Sequence, residues 1–569
     1  MHYQTHSFAQ IPPIAIVQIA DRPATSSLHT AWMVALSPPP TIAQTPPDPN
    51  RDRLIPAPQP TLPPLQDTAP VLPNAPAVPP AAADLPTPAF PVRKILIIGS
   101  TVFQPADFAP LTQPFEGKTA TREELNGIAT AITLRYLNQG YINSRASEPE
   151  ARGDGTITIR VIEGSIERID INGNQRLTTA YIRDRVKLGI TTPVRQDKLE
   201  DQLRLLRSDP ILSNVEATLG PGNGLGKSIL TVQVKEAKAI YGGITSDNFS
   251  SPVVGSERIG TYLGLRNPLS LGDELTFSYN RTTTGGANVY DIGYRLPVNP
   301  MNGTIQLRIA PSNNRITDSK ASAGLNIGGS SNLYDLSYRQ PLIRSTTQEF
   351  ALSLGLTLQD GDTFITEDTR FNTNNQARLI KFGQDYLSRD RQGTWAIRSQ
   401  FNFGFSTFST DPNINSSFFS WIGQAQRIQR VSNSNFLIAQ FDLQLTPDQL
   451  VPSQQFVIGG GQSVRGYRQN ARSGDNGWRF SLEDRLAIAW NNSGNPVLQL
   501  APFIDLGAVW NVRDPVKQNF LSSGGVGLIW QPFERANLRL DYALPFRSVQ
   551  ERGSNLQDRA FYFSVNYQL

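Results

Sequence analysis

The sequence contains no cysteine and only three histidines, His2, His6 and His29. The absence of cysteine excludes disulfides, thiolate metal ligands and cysteine nucleophiles. Because all three histidines precede the predicted start of the mature chain, the folded part cannot hold a histidine-based catalytic triad or a histidine-ligated metal site. No other set of nucleophile, base and orienting residue stands out, so we predict no enzyme activity, no cofactor and no metal.

Long apolar runs and a dominant charge are also missing. No segment approaches the roughly 18 to 20 apolar residues that a spanning helix needs. The chain has 52 Lys and Arg residues against 48 Asp and Glu, a formal charge of +4, and it has no basic block. This balance predicts no nucleic-acid partner. If the protein crosses a membrane, it must do so as a closed β-barrel, which also satisfies every backbone polar group in lipid.

The first 91 residues predict no packed domain. We interpret residues 1–44 as a signal peptide, with a disordered tail as the alternative, because two short apolar stretches precede Ile42–Gln44. Residues 45–91 are crowded with proline and alanine and predict an extended, polyproline-like linker. We favour a spacer role for this linker over a role as ligand for a proline-binding groove.

Two small α/β modules are predicted next, at residues 92–164 and 165–237. Thr121–Glu124 reads as a capping box that opens a helix in the first module. The second module has helix-like segments at 178–186 and 196–206. The order strand, helix, helix, strand, strand therefore occurs twice, over about 70 residues each time.

Residues 238–569 alternate apolar and polar side chains with a period of two, and we predict an antiparallel transmembrane β-barrel of about sixteen strands. The polar face repeatedly carries charge, as a water-filled lumen requires. Short links alternate with longer ones, as short periplasmic turns alternate with long external loops. The charged positions are Arg308, Arg339, Arg398, Asp442, Glu483, Arg485, Arg539 and Asp541, and the longer links include Pro311–Ser319, Gln359–Asn375, Thr407–Ser416 and Val451–Gly477.

One long link is rich in glycine and contains an arginine motif, Val464-Arg465-Gly466-Tyr467. Three consecutive glycines, Gly459, Gly460 and Gly461, precede the motif and give the loop backbone freedom. Downstream, Asp505 interrupts an apolar strand between Phe503 and Gly507, and the alternation points its side chain into the lumen. From the residues alone, a contact between Arg465 and Asp505 and a solvated loop cation are equally supported.

Four features together resemble those of a two-partner secretion transporter. They are the tandem modules, the barrel, the Val-Arg-Gly-Tyr loop before the twelfth strand and Phe503–Gly507 on the thirteenth. The likeness is to the haemolysin secretion/activation and filamentous-haemagglutinin exporter type, and it covers residues 92–569. It implies two polypeptide-transport-associated (POTRA) modules followed by a barrel of about sixteen strands. It also implies that the loop folds back into the lumen and that Arg465 pairs with Asp505.

The resemblance implies export of an unfolded partner polypeptide, possibly haemolysin-like or adhesin-like, across the outer membrane of a bacterium with two membranes. The POTRA-like modules would bind this partner in the periplasm, and the barrel would contact outer-membrane lipid as a monomer. An assembly factor that inserts other barrels is the alternative, and a passive porin fits less well. The family's N-terminal plug helix is doubtful here, because prolines surround the polar patch Asn50–Leu54.

Overall fold

The computed structural model describes residues 89–318, 327–365, 368–405, 417–492, 494–549 and 553–569. These residues form two compact units, one ending at Ala237 and the other beginning at Lys238. The predicted signal peptide and nearly all of the predicted linker lie outside the described residues, as does the patch Asn50–Leu54 considered for a plug helix. Within the described ranges, no helix has the length and apolarity needed to span a membrane.

The first module is a small sheet covered by two helices. Strand β2 runs parallel to β6, and β4 and β5 pair with β6 in antiparallel fashion, while β1 pairs with β3. The predicted capping box is present, because the Thr121 hydroxyl accepts the Glu124 amide at 3.2 Å and Glu124 accepts the Thr121 amide at 2.7 Å. The elements are β1 (Ala89–Val92), β2 (Lys94–Ile98), α1 (Pro105–Thr112), β3 (Lys118–Thr121), α2 (Arg122–Asn138), β4 (Arg145–Ala146), β5 (Glu150–Ala151) and β6 (Thr156–Ile162).

The second module has the predicted order of one strand, two helices and two strands. Its elements are β7 (Ser165–Asn172), α3 (Thr179–Lys187), α4 (Gln196–Arg207), β8 (Leu212–Pro221) and β9 (Lys227–Glu236). The sheet order is β7-β9-β8, with β7 parallel and β8 antiparallel to β9. Leu199, Leu203 and Leu206 lie on one face of α4 and are buried against this sheet, as their helical spacing predicts.

The second unit contains a closed antiparallel barrel of sixteen strands, which confirms the predicted fold class. Closure comes from β10 and β27, where Gly243 pairs with Gln568 and Asp247 with Ser564. The barrel strands are β10 (Ile240–Asp247), β11 (Arg258–Arg266), β12 (Glu274–Thr282), β13 (Ala287–Pro297), β14 (Thr304–Arg315), β15 (Ile327–Arg344), β16 (Gln348–Ile365), β17 (Asp368–Arg389), β18 (Gly393–Gly404), β19 (Phe418–Arg430), β20 (Asn435–Leu445), β23 (Asn476–Trp490), β24 (Pro496–Trp510), β25 (Phe520–Phe533), β26 (Ala536–Pro545) and β27 (Phe561–Gln568). Among the described residues of this unit, two further strands, β21 (Phe456–Ile458) and β22 (Arg472–Gly474), pair with each other.

Strand β24 shows how the two-residue period separates lumen from exterior. Phe503 and Asp505 are buried inside the barrel, whereas Ile504 between them is 49% exposed on the outer face. Charges on the lumen side are paired, as where Arg308 contacts Asp291 at 2.6 Å with both side chains buried. An apolar outside and a polar, charge-paired inside are the arrangement that a barrel in lipid requires.

The prediction of a loop at Gln359–Asn375 is wrong, because β16 continues to Ile365 and β17 begins at Asp368. The ladder pairs Gly361 with Asn375 and Asp362 with Asn374. The polar and glycine residues there suggested a loop, yet they extend a hairpin beyond the roughly 9 to 11 residues that cross a bilayer. Strand β14 likewise runs to Arg315, into the link predicted to begin at Pro311. The predicted loop at 407–416 lies outside the described residues.

The predicted domain boundaries at 164/165 and 237/238 stay predictions. The first boundary falls between two strands and cuts neither of them, since β6 ends at Ile162 and β7 begins at Ser165. The two modules are joined by backbone hydrogen bonds, from Val194 to the Gly164 carbonyl at 3.0 Å and from Gln196 to the Gly140 carbonyl at 2.9 Å. The chain between β9 and β10 is short, because β10 already begins at Ile240.

Candidate functional site

The link between β20 and β23 folds back into the barrel lumen. Its two short strands, β21 and β22, form a hairpin whose tip spans residues 459–471. Gly459 and Gly460 make the turn with φ angles of +106° and +103°, a region in which side chains with a Cβ are strained. Gly461 follows at the wall, where a Cβ would lie 2.4 Å from the Phe249 ring. The three predicted loop glycines therefore lie where the chain turns and approaches the wall.

A small apolar cluster holds the hairpin against the wall. Val464 and Ile458 are fully buried and pack with Val509 and Leu521 on β24 and β25. Gly507 on β24 makes room for this contact, since a Cβ there would lie 3.0 Å from a Val464 methyl and 3.2 Å from an Ile458 methyl. The absence of a side chain at Gly507 thus lets the loop and the wall approach closely.

Arg465 reaches the carboxylate of Asp505 through two parallel hydrogen bonds. Its Nε lies 2.7 Å from Asp505 Oδ2, and its Nη2 lies 2.9 Å from Oδ1. The backbone amide of Arg465 also donates to Oδ2 at 3.1 Å, and the Ser481 hydroxyl donates to Oδ1 at 2.7 Å. Asp505 thereby accepts four donors while fully buried. Charge-assisted bidentate pairs of this kind combine strength with geometric specificity.

Three further groups complete the surroundings of the Arg465 guanidinium. Its Nη1 donates to Glu483 at 2.8 Å and lies 3.4 Å from Asp541 Oδ1. The ring of Phe503 faces the cation, with 3.2 Å between the guanidinium carbon and the ring centroid. Phe503, predicted together with Asp505 and Gly507 as the partner of the loop on this strand, therefore supplies a cation–π contact.

Arg465 joins a larger network of charges on the wall. Arg539 donates to Glu483 at 2.6 Å and to Asp541 at 2.7 Å, and Arg485 Nε donates to Glu483 at 2.8 Å. Glu483 therefore connects three arginines. These wall residues are predicted from the sequence as lumen charges, but not as partners of the loop. Their inward parity on β23 and β26 is the signal that could have done so.

The network is electrically balanced when the loop is in place. Three guanidinium groups face three carboxylates, and every member is buried. Removing one partner of a buried pair leaves an uncompensated charge, which costs about 3–5 kcal/mol. The members are Arg465, Arg485 and Arg539, with Asp505, Glu483 and Asp541.

Gly466 and Tyr467, the remaining motif residues, attach the loop backbone to the wall. The Gly466 amide donates to the Tyr562 hydroxyl at 2.9 Å, and that hydroxyl donates to the Tyr467 carbonyl at 2.6 Å. The Tyr467 hydroxyl in turn donates to the Ser522 carbonyl at 2.8 Å. Gly466 has a φ angle of +96°, which a residue with a side chain would adopt only with strain. Tyr562, on the last strand, has no counterpart in the sequence analysis.

The loop has additional ionic anchors that the sequence analysis missed. Arg468 pairs with Asp558 of the β26–β27 loop through contacts of 2.6 and 2.9 Å. Arg479 on β23 pairs with Asp442 and donates to the Gln462 carbonyl at 2.6 Å. Within the described part of the chain, no group of His, Cys, Asp or Glu side chains is placed to hold a metal ion.

A closed barrel of sixteen strands after small α/β modules, with a loop arginine paired to a wall aspartate, defines an outer-membrane transporter of the POTRA-plus-barrel class. The family model described as "Haemolysin secretion/activation protein ShlB/FhaC/HecB" matches residues 226–529, which is more than half of the chain. The ShlB-type POTRA model matches residues 90–164. The chain belongs to this haemolysin secretion/activation family. It is a two-partner secretion transporter of the outer membrane that exports a partner polypeptide and holds its POTRA domains in the periplasm.

Individual relatives agree with this membership. Outer membrane transporter CdiB of Dickeya dadantii is 23% identical over 462 residues, covering 78% of this chain and 80% of the relative. Hemolysin transporter protein ShlB of Serratia marcescens is 22% identical, covering 70% and 72%.

Two solved structures share the fold. CdiB from Escherichia coli has a TM-score of 0.66 at 20% identity, covering 88% of this chain and 94% of that one. BamA from Haemophilus ducreyi lacking POTRA domains 1–3 has a TM-score of 0.53 at 15% identity, covering 84% and 100%.

Proposed function

We propose that the loop carrying Arg465 is the gate of this transporter. With the loop folded in, the lumen contains the β21–β22 hairpin, and an exported chain would need the hairpin to move. The observation that carries the proposal is the bidentate contact between Arg465 on the loop and Asp505 on the wall. Val464, Gly466 and Tyr467 support the same docked position through their packing and backbone hydrogen bonds. Gly459, Gly460 and Gly461 shape the turn that carries Arg465 to the wall.

The periplasmic modules would capture the exported chain before it enters the barrel. An extended polypeptide can add to the edge of a sheet through backbone hydrogen bonds. In the two modules, strands β2 and β8 lie at sheet edges among the described residues. We assign the capture role to residues 92–164 and 165–237, and the conducting role to residues 238–569.

The partner is proposed to be a large secreted protein of the haemolysin or adhesin kind. Relatives are named Hemolysin transporter protein and Heme/hemopexin transporter protein, and these names support a protein cargo of that class. We further propose that the chain acts as a monomer, catalyses no reaction and contacts lipid through its apolar exterior. That exterior includes Ile259, Leu263, Leu336 and Leu354, all well exposed.

Co-expression with a candidate secreted partner, followed by assay of the medium, tests the function. We expect export from the full chain and loss of export when residues 92–234 are deleted, while the barrel still reaches the outer membrane. Export that survives this deletion would refute the capture role. If deletion instead lowered the levels of other outer-membrane barrels and export of the candidate partner was never seen, the assembly-factor alternative would replace the proposal.

A further inference from the structure

The pocket that holds the Arg465 guanidinium is built entirely from the barrel wall. We call it the guanidinium seat and define it by Ser481, Glu483, Phe503, Asp505 and Asp541. Strands β23 and β24 pair directly here, with Ser481 opposite Asp505 and Glu483 opposite Phe503. Asp541 joins from β26, which β25 connects to β24 by continuous ladders. Because the loop contributes none of these side chains, the seat stays assembled when the loop leaves it.

The seat recognises the shape of a guanidinium as well as its charge. Asp505 takes Nε and Nη2 side by side, and Glu483 takes Nη1 at 2.8 Å. The Phe503 ring covers one face of the planar group at 3.2 Å. A planar fork of donors fits two carboxylates and an aromatic face together, whereas the compact ammonium of lysine does not.

An empty seat would carry uncompensated negative charge. Without Arg465, the described ion pairs leave the three carboxylates of the network with Arg485 and Arg539, and both of these arginines are engaged with Glu483 or Asp541. Of its present donors, Asp505 would then retain the Ser481 hydroxyl, which lies at 2.7 Å. A buried carboxylate in that condition strongly favours a new cation. The lumen is also the route by which an exported polypeptide would pass.

We propose that the guanidinium seat is a binding site for arginine side chains of the exported polypeptide. An arginine of the passing chain would replace Arg465, and this exchange would lower the cost of keeping the loop out of the lumen. The ligand class is an arginine side chain on an extended polypeptide. The proposal rests on the proposed export function, which brings such side chains into the lumen, but its binding test below requires no export.

Binding is measured on the full-length Arg465→Ala protein in detergent, from the midpoint temperature at which the folded barrel loses its electrophoretic mobility. The probes are N-acetyl-arginine amide, N-acetyl-lysine amide and N-acetyl-citrulline amide, the last being an uncharged isostere of the first. We expect the arginine probe to raise the midpoint saturably, because a ligand that binds the folded state stabilises it. The lysine probe should need about tenfold higher concentration, since one lost charge-assisted hydrogen bond corresponds to at least that factor.

Matched variants separate the seat from general charge effects. Arg465→Ala combined with Asp505→Asn should abolish the response to the arginine probe. Arg472→Ala removes a hairpin arginine that donates to Gln518 at the exposed surface and leaves Arg465 in the seat, so it should show no saturable stabilisation at the probe concentrations that saturate Arg465→Ala. Equal midpoint shifts from the arginine and lysine probes, or a shift that persists with Asp505→Asn, would overturn the proposal.

The unmodified protein gives a second measurement that does not depend on any variant folding. In planar lipid bilayers, N-acetyl-arginine amide should compete with Arg465 and raise the frequency of channel openings several-fold over the citrulline probe. An opening frequency that is the same with both probes would contradict the proposal. Loss of the export function would appear separately, as absence of the partner from the medium in the co-expression assay.

Discussion

Arg465 and Asp505 lie forty residues apart in sequence and meet inside the barrel through hydrogen bonds of 2.7 and 2.9 Å. Arg465 belongs to a loop, and Asp505 belongs to a wall strand. The pair therefore connects the loop inside the lumen to the barrel wall. Glu483 extends this connection to Arg485 and Arg539, so the strength of the loop contact depends on wall charges that the loop does not touch directly.

Replacing Arg465 by alanine should release the loop. The change leaves Asp505 without its bidentate partner, which costs the docked state about 3–5 kcal/mol. We expect export to fall and channel openings in planar bilayers to become more frequent, while heat-modifiable mobility shows that the barrel still inserts. Arg472→Ala is the matched control, because Arg472 lies on the same hairpin and donates to Gln518 at the exposed surface. A variant at Arg465 that behaves like the one at Arg472 would rule out the gate role.

Exchanging the two charges should fail to restore the gate, for a reason that only the structure supplies. In Arg465→Asp with Asp505→Arg, the new loop carboxylate would face Glu483, which now lies 2.8 Å from Arg465 Nη1. Like charges in a buried site repel each other. We expect export from the double exchange to stay as low as export from Arg465→Ala. Recovery with the double exchange alone would show that Glu483 does not contribute to loop docking.

A side chain at Gly507 should push the loop from the wall. A Cβ there lies 3.0 Å from Val464 and 3.2 Å from Ile458, closer than ordinary packing. Gly507→Ala should therefore cost docking about 1–3 kcal/mol, as overpacking does. Because the chain has no cysteine, a single Ser463→Cys reports docking through its rate of labelling. Gly355→Ala on β16 is the control, since its nearest atoms lie at 3.5 Å or beyond.

The sequence predicts the repeated features of this fold well and its particular contacts less well. Local patterns within each segment predict these repeated features. The two-residue alternation predicts the sixteen strands and the inward position of Asp505, and a short motif predicts the capping box at Thr121. The Tyr562 anchor and the Arg468–Asp558 pair join segments about ninety residues apart, and no local pattern connects them. The predicted loop at Gln359–Asn375 failed for a related reason. Polar composition indicates solvent, but a hairpin in solvent can stay paired through its backbone.

The periplasmic unit should lose stability in acid because of Glu236, whose carboxylate accepts hydrogen bonds from three consecutive backbone amides. Glu236 Oε1 accepts the amides of Gln175, Arg176 and Leu177 at 2.7 to 2.8 Å, and its side chain is almost fully buried. Burial raises the pKa of Glu236, but these amides and the Arg176 charge outweigh that effect and hold the pKa below its ordinary value of 4.5. A depressed pKa contributes stability that is complete above pH 4.5 and is lost as the pH falls through the folded-state value.

Hydrogen exchange on the full-length protein tests this prediction. The protection of the amides at 175–177, corrected for intrinsic exchange, should be constant near neutral pH and should fall below pH 4.5. Glu236→Gln should lower that protection near neutral pH by about 1–3 kcal/mol, because buried donors lose a charged acceptor. It should also remove the pH dependence. Glu216→Gln on the neighbouring strand β8 is the control, since Glu216 is exposed and accepts only from the Asn214 side chain among its described contacts. Protection at 175–177 that stays constant into acid in the unmodified chain would refute the assignment to Glu236.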